Sequence, residues 1–281
     1  MTSPSRQGRP GAPGSAPVVD RFGVFVSVAV TALWAVCARP ALDGGPARAD
    51  IALTIAVAVV VLVAAVQWLA LLRRFGMSPP MPAVLIGVLG TLVAAAVAGQ
   101  GGALAGLVFS LILVYCWRIA ESSETRLADV GFGVTGVAVF GFFPAQVLLL
   151  GRVAAGPAGL YIYLVTVVVF EVVQAVLSRP ARDGTRAADM STLAAGIAAT
   201  VAGVVAGAVA GGPVGAAGGL ALGVVGAAGA AAGRACLPLL APAPEVDGRR
   251  IKRRPLLLDA LAPFLFAAPA TFLAYRMVAA G

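Results

Sequence analysis

Long apolar runs recur along the whole 281-residue chain and are separated by short polar segments. Runs of about 18 or more apolar residues are typical of membrane-spanning helices. In lipid only helices and closed barrels satisfy their own backbone polar groups, and barrel strands alternate apolar and polar positions, which these continuous runs do not. The pattern therefore predicts an all-α polytopic membrane protein. We draw nine transmembrane spans, at residues 22–38, 51–72, 82–99, 102–117, 130–151, 157–178, 191–211, 213–233 and 256–276.

Composition strengthens this prediction and removes several classes of function. Hydrophobic residues make up 60% of the chain, charged residues only 11%, and the mean hydropathy is +0.98, whereas soluble domains carry about 25% charged residues. The chain has no histidine, which excludes histidine-ligated zinc and histidine-based triads. Residues 1–20, rich in Pro, Gly and Ser, are expected to form a disordered cytosolic tail, and residues 21–281 a single transmembrane domain.

The positive charges predict the orientation of the chain. If the N-terminus is cytosolic, sixteen of the twenty Lys and Arg residues fall on the cytosolic side, as the positive-inside rule requires. The C-terminus is then on the far side, and we expect a multi-pass protein of the cell (inner) membrane. The basic residues are scattered over short loops, so we expect membrane lipids as partners and no nucleic acid.

Glycines recur every fourth residue in the seventh and eighth spans, at Gly203, Gly207 and Gly211 and again at Gly215, Gly219 and Gly223. Small residues at this spacing let helix backbones approach closely in lipid. The pattern predicts close packing, either between these two helices or across a homodimer.

An acidic residue inside a span is a candidate functional group, because charge is costly in lipid. Glu171 lies seven residues before the end of the sixth span, about 10 Å below the cytosolic surface at 1.5 Å per residue. Gln174 lies nearly one turn further on, on the same side of the helix. Glu171 is predicted to serve a metal, proton or phosphate network. The alternative is a protonated carboxyl, or one paired with an arginine.

The segment 245–259, EVDGRRIKRRPLLLD, combines Asp247 and Asp259 with five basic residues. Carboxylates can hold a divalent cation that bridges phosphate oxygens, and the basic side chains offset the remaining charge. The segment therefore predicts a phosphate site. The alternative is a basic juxtamembrane loop that fixes topology and touches anionic lipid.

The chain from about residue 124 to residue 276 resembles the phosphatidate cytidylyltransferases, also called CDP-diacylglycerol synthases. That family ends in an acidic signature and an apolar helix often reading L-x-F-A-A-P; here Asp259 is followed by LFAAP at residues 265–269. Asp247 falls close to the Asp of the family's K-D-x-G, and residues 170–174, FEVVQ, resemble its N-D-V-x-Q. A second alignment would instead place residues 251–253 on an I-K-R of the family.

The resemblance implies a reaction in which CTP and phosphatidate give CDP-diacylglycerol and pyrophosphate, in phospholipid biosynthesis, with Mg²⁺ or another divalent cation. It implies catalytic and metal-binding roles for Asp247 and Asp259, with Glu171 as a third metal ligand. The residues expected to bind substrate are Gln174, Arg182, Arg186, Lys252, Arg253 and Arg254.

Several elements of the family signature are replaced in this chain. Its H-G-G corresponds to residues 252–255, KRRP, and its D-R-x-D keeps only Asp259. Its G-D-x-x-E-S would fall at Gly233 and Arg234, without either acid. These changes motivate a second hypothesis, a catalytically silent relative that binds lipid or a partner. A third is a small-molecule or lipid transporter, although inverted repeats, common in transporters, are not visible.

Overall fold

The computed structural model describes residues 18–38, 46–121, 127–152, 158–177, 184–211, 214–240, 245–246, 249–250 and 256–280. Seven helices in these ranges are long and apolar enough to cross a membrane, so the predicted all-α multi-pass architecture is confirmed. The helices are α1 (Val18–Ala38), α2 (Pro46–Arg74), α3 (Met81–Ala120), α4 (Leu127–Val137), α5 (Phe143–Gly151), α6 (Ala158–Leu177), α7 (Gly184–Ala210), α8 (Gly215–Leu240) and α9 (Leu256–Ala280). Two short strands, β1 (Glu245–Val246) and β2 (Arg249–Arg250), pair antiparallel.

Several helix boundaries differ from the predicted spans, and α1 differs in the segment predicted to be a tail. Helix α1 begins at Val18, inside the segment predicted to be a disordered tail, while residues 1–17 lie outside the described residues. The apolar stretch whose packing the structure describes in α1 is Val26–Cys37, which is shorter than the seven candidate spans.

The 40-residue helix α3 folds back on itself at Gly99, whose φ of 64° and ψ of −143° are not helical. Residues on either side of this turn meet across the hairpin: the Ser110 hydroxyl donates to the Gly87 carbonyl at 2.9 Å and lies 3.2 Å from the Thr91 hydroxyl. Such hydroxyl bonds and small residues hold helices together in lipid, where apolar surface alone gives no preference. The two halves correspond to the predicted spans 82–99 and 102–117, joined without a loop.

A π-helical segment, Ala138–Phe142, joins α4 and α5 into one candidate span. Pro144 has no backbone N–H and cannot donate the regular helical bond to Phe140. The Phe143 N–H instead reaches back five residues to the Ala138 carbonyl, which is the π-helical pattern.

Helices α7 and α8 pack through their glycines. A Cβ on Gly203 would lie 2.7 Å from the Gly223 Cα, and one on Gly207 would lie 2.6 Å from the Gly219 Cα. The predicted close packing between these helices is confirmed, and it occurs within one chain. Gly211, with a φ of 63°, ends α7 at the turn. The homodimer stays a prediction.

One end of the bundle carries most of the described basic side chains, and we call it the basic end. Helix α2 and the second half of α3 finish there, at Arg74 and just beyond Arg118. Helix α8 finishes at the same end, because the Trp68 indole of α2 donates to the Leu240 carbonyl at 2.9 Å. Successive helices run in opposite directions, so the end of α6 at Leu177, the start of α7 at Gly184 and the start of α9 at Leu256 also lie at this end.

The glycine contact between α7 and α8 predicts a size limit at Gly207. Gly207→Leu should lower the unfolding free energy by about 1–3 kcal/mol, the usual cost of overpacking, because the new side chain meets backbone. Thermal unfolding of the purified protein in detergent measures this. Gly90→Leu is the matched control, since a Cβ at Gly90 meets nothing within 4 Å. Equal melting temperatures for both variants would contradict the packing.

Candidate functional site

Glu171 forms a two-point ion pair with Arg234 near the basic end of the bundle. The Arg234 Nε donates to one Glu171 carboxylate oxygen at 3.0 Å, and its Nη2 donates to the other. Glu171 is 1% exposed and the Arg234 side chain 40%. A buried carboxylate without a counter-charge is strongly unfavourable, so the pair fixes helix α6 against helix α8 at this level. Of the alternatives for Glu171, the structure shows the arginine pair.

Asp259 lies in the first turn of α9 and is half-buried. It lies at the basic end, where α9 begins. Two of the three carboxylates predicted to gather at one site therefore lie at the same end of the bundle, where Arg234 of α8 pairs with Glu171 of α6.

Gln174 extends the polar cluster toward α7. Its Nε2 lies 3.2 Å from the Thr192 hydroxyl and 3.4 Å from that of Ser191. A buried amide in lipid needs such partners. The bonds tie α6 to the first described side chains of α7, so Gln174 and Glu171 share one polar cluster, as their spacing predicted.

A crevice of about 820 Å³ opens beside this cluster, between α6, α7 and α8. We call it the α7–α8 crevice. Its polar lining residues are Gln174, Thr192, Thr200 and Arg234, and its other lining residues are Phe170, Leu193, Gly196, Ile197, Val201, Val224, Ala227, Ala228, Ala231 and Ala235. Arg234, Gln174 and Thr192 lie at its basic end.

The glycine contact explains the shape of the α7–α8 crevice. The two helix backbones touch at Gly203 and Gly223, whereas a Cβ added at Gly196 would meet nothing within 4 Å. The helices are therefore closed in the half distant from the basic end and open in the half next to it. The crevice combines an apolar body with polar groups at one end, which suits an amphipathic ligand.

Most of the other predicted site residues lie outside the described residues: Asp247, Arg182, Lys252, Arg253 and Arg254. Arg186 lies in the first turns of α7, but its side chain is outside the described part.

The predicted metal set is incomplete in the described part of the chain, where no three acidic or cysteine side chains are placed to hold an ion. Asp247 is outside it, and both Glu171 oxygens accept hydrogen bonds from Arg234. Asp259 has the donor chemistry that Mg²⁺ prefers; Glu171 could become a ligand only by releasing Arg234. The Mg²⁺ site stays a prediction.

A second buried ion pair at the basic end was not predicted from the sequence. Asp129 is buried at the start of α4; it receives 2.8 Å hydrogen bonds from the Arg118 Nη2 and the Ser78 backbone N–H. Arg118 also pairs with Glu121. This network joins α3, α4 and the segment before α3, and its role is structural. The signal available in the sequence was the position of Asp129, an acid directly before the apolar run that begins at residue 130.

No protein-family profile matches the chain, no curated protein matches it in sequence, and no solved structure matches it in fold. The resemblance to the cytidylyltransferases therefore rests on the sequence motifs alone.

The ion pair predicts that Arg234→Gln destabilises the protein by about 3 kcal/mol, the lower end for breaking a buried pair, because Arg234 is partly exposed. Glu171 would then be buried without a counter-charge. The double variant Glu171→Gln/Arg234→Gln should regain most of the loss, since a neutral amide replaces the charge. Melting curves in detergent measure both. A single variant that unfolds like the wild type would refute the pair's structural role.

Proposed function

We propose that this chain is a phosphatidate cytidylyltransferase-like membrane transferase that acts at the basic end of the bundle. The observation that carries the proposal is the placement of Arg234, paired with Glu171, at the basic end of an apolar crevice, the same end of the bundle at which Asp259 begins α9. A lipid in the crevice would present its phosphate to charged groups at the membrane surface. The motif resemblance supplies the identity of the reaction.

We propose nine membrane passes, with the N-terminus cytosolic and the C-terminus on the far side. Seven candidate spans, the reversal of α3 at Gly99 and the apolar helix α1 together support this number. The basic end then faces the cytosol, as the positive-inside rule favours. In a cell (inner) membrane this orientation brings the site to the side where CTP is present.

In the proposed reaction a phosphate oxygen of phosphatidate attacks the α-phosphorus of CTP. A new P–O bond forms, the bond to the β-phosphate oxygen breaks, and pyrophosphate leaves with the electron pair. Positioning and charge stabilisation account for most of such catalysis. Arg234 orients the lipid phosphate, held in place by Glu171. Gln174 lies beside it, and the predicted triphosphate contacts are Arg182, Arg186, Lys252, Arg253 and Arg254.

A bound Mg²⁺ would neutralise triphosphate charge. Asp259 and Asp247 are the residues that we propose to hold it. Glu171 holds Arg234 in position, because Arg234 donates hydrogen bonds to both of its carboxylate oxygens.

We expect the purified protein, given CTP, phosphatidate and Mg²⁺, to form CDP-diacylglycerol. Asp259→Asn should lower this activity at least a hundredfold, because one carboxylate of the proposed site is lost. Product is measured by thin-layer chromatography with labelled CTP. Glu121→Gln is the control, an acid-to-amide change at an exposed position of the same end. A wild type that stays inactive with Mg²⁺ and Mn²⁺ and with several phosphatidates would reject the proposal.

A second candidate function is that of a catalytically silent relative that binds lipid or a partner. The two-point pair between Glu171 and Arg234 favours it, because Arg234 neutralises the carboxylate that the resemblance would give to a metal. Arg234 also stands where the family has an acidic element. Such a protein would keep the lipid contact and lose the transfer reaction.

The silent relative predicts lipid binding that survives Asp247→Asn with less than a twofold change in affinity, since no cation is then required. Native mass spectrometry of the purified protein with added phosphatidate measures it. Chelation with EDTA should leave the binding equally unchanged. Loss of binding with either treatment would contradict this candidate and favour the transferase.

A further inference from the structure

We infer that the α7–α8 crevice binds one acyl chain of a phospholipid whose phosphate contacts Arg234, and that the glycine contact at its closed end limits how much of that chain the crevice holds. The inference rests on the proposed function for the identity of the headgroup. The acyl-chain site itself follows from the shape and lining of the crevice.

The open side of the crevice belongs to the surface that faces the hydrocarbon of a membrane. Leu193, Ile197, Val201 and Val224 line the crevice and are also exposed large apolar residues. Helix α7 is the least buried of the seven candidate spans. A hydrocarbon chain can enter such a crevice sideways from the bilayer, and close packing against the crevice walls gives it dispersion contacts.

Arg234 gives the crevice a polar end that matches phosphate. A guanidinium has five N–H donors, and the two hydrogen bonds to Glu171 leave three for other acceptors. The side chain is 40% exposed and lines the crevice. Guanidinium groups bind phosphate oxygens with two parallel hydrogen bonds, and Glu171 holds this one in a fixed orientation.

The depth of the crevice matches one leaflet of a bilayer. Eleven residues of α8 separate Arg234 from Gly223, about 16 Å at 1.5 Å per residue. Half of a bilayer's hydrocarbon core is about 15 Å. At Gly223 the crevice ends, because the backbones of α7 and α8 meet there. A chain that follows the crevice therefore runs from the membrane surface to about the midplane.

Gly196 is the residue that most directly keeps the crevice open. It lines the crevice, and a Cβ there would meet nothing within 4 Å. A larger side chain at this position can fill the crevice without meeting its neighbours. Gly196 is thus a specificity-determining position for acyl length.

The test compares the binding of dioctanoyl and dioleoyl phosphatidate by native mass spectrometry of the full chain, without CTP. The wild type should prefer the longer chains. Gly196→Leu should reduce dioleoyl binding about tenfold, equivalent to the burial of about two methylene groups, and reduce dioctanoyl binding less, because fewer of its carbons lie in the crevice beyond Gly196. Gly90→Leu is the control and should behave like the wild type, because Gly90 also has open space but lies on α3.

The headgroup is tested with dioleoylglycerol, which lacks the phosphate. The wild type should bind it more weakly than dioleoyl phosphatidate, and Glu171→Gln/Arg234→Gln should remove this difference. Unchanged chain-length preference in Gly196→Leu, or an equal loss in Gly90→Leu, would overturn the acyl site. An equal affinity of the wild type for both lipids would overturn the Arg234 contact.

These outcomes are separable from those of the proposed reaction. A protein that shows the chain-length effect but forms no CDP-diacylglycerol has the acyl site and lacks the transferase activity. A protein that forms CDP-diacylglycerol with no chain-length effect of Gly196→Leu has the activity and lacks the acyl site.

Discussion

A carboxylate inside an apolar bundle requires a compensating charge, and the ion pair between Glu171 and Arg234 meets that requirement here. Without it, α6 would carry an isolated charge in lipid, which costs several kcal/mol. The pair constrains the relative position of α6 and α8 at the basic end. It also places a guanidinium, with donors to spare, at the mouth of the α7–α8 crevice.

The small residues of α7 and α8 determine where these two helices touch. Gly203 and Gly207 bring the two backbones into contact with Gly219 and Gly223, so the helices meet on one side of the bundle's middle and separate on the other. Larger residues throughout would hold the helices apart along their whole length and leave no closed end. The same glycines that stabilise the helix pair therefore define the depth of the crevice.

Much of the fold was predictable because apolar runs in lipid have few solutions. The helices follow the predicted runs, and the reversal at Gly99 matches the break between two of them. The depth of Glu171 was also visible in the sequence. Its partner was not: Arg234 is 63 residues away, and a pairing at that separation depends on how α6 and α8 pack. The Asp129–Arg118 pair, only 11 residues apart, was missed although Asp129 directly precedes an apolar run. Asp247 lies outside the described residues.

The ionisation of Glu171 tests this account most directly, since the alternative for a lone carboxyl in lipid is to be protonated. Infrared difference spectra between the wild type and Glu171→Gln, recorded in lipid at neutral pH, report the state of this one side chain. The account predicts the loss of a carboxylate band in the variant, with no loss of a protonated carboxyl band. Loss of a protonated carboxyl band would show that Arg234 does not hold a charged Glu171 and would contradict it.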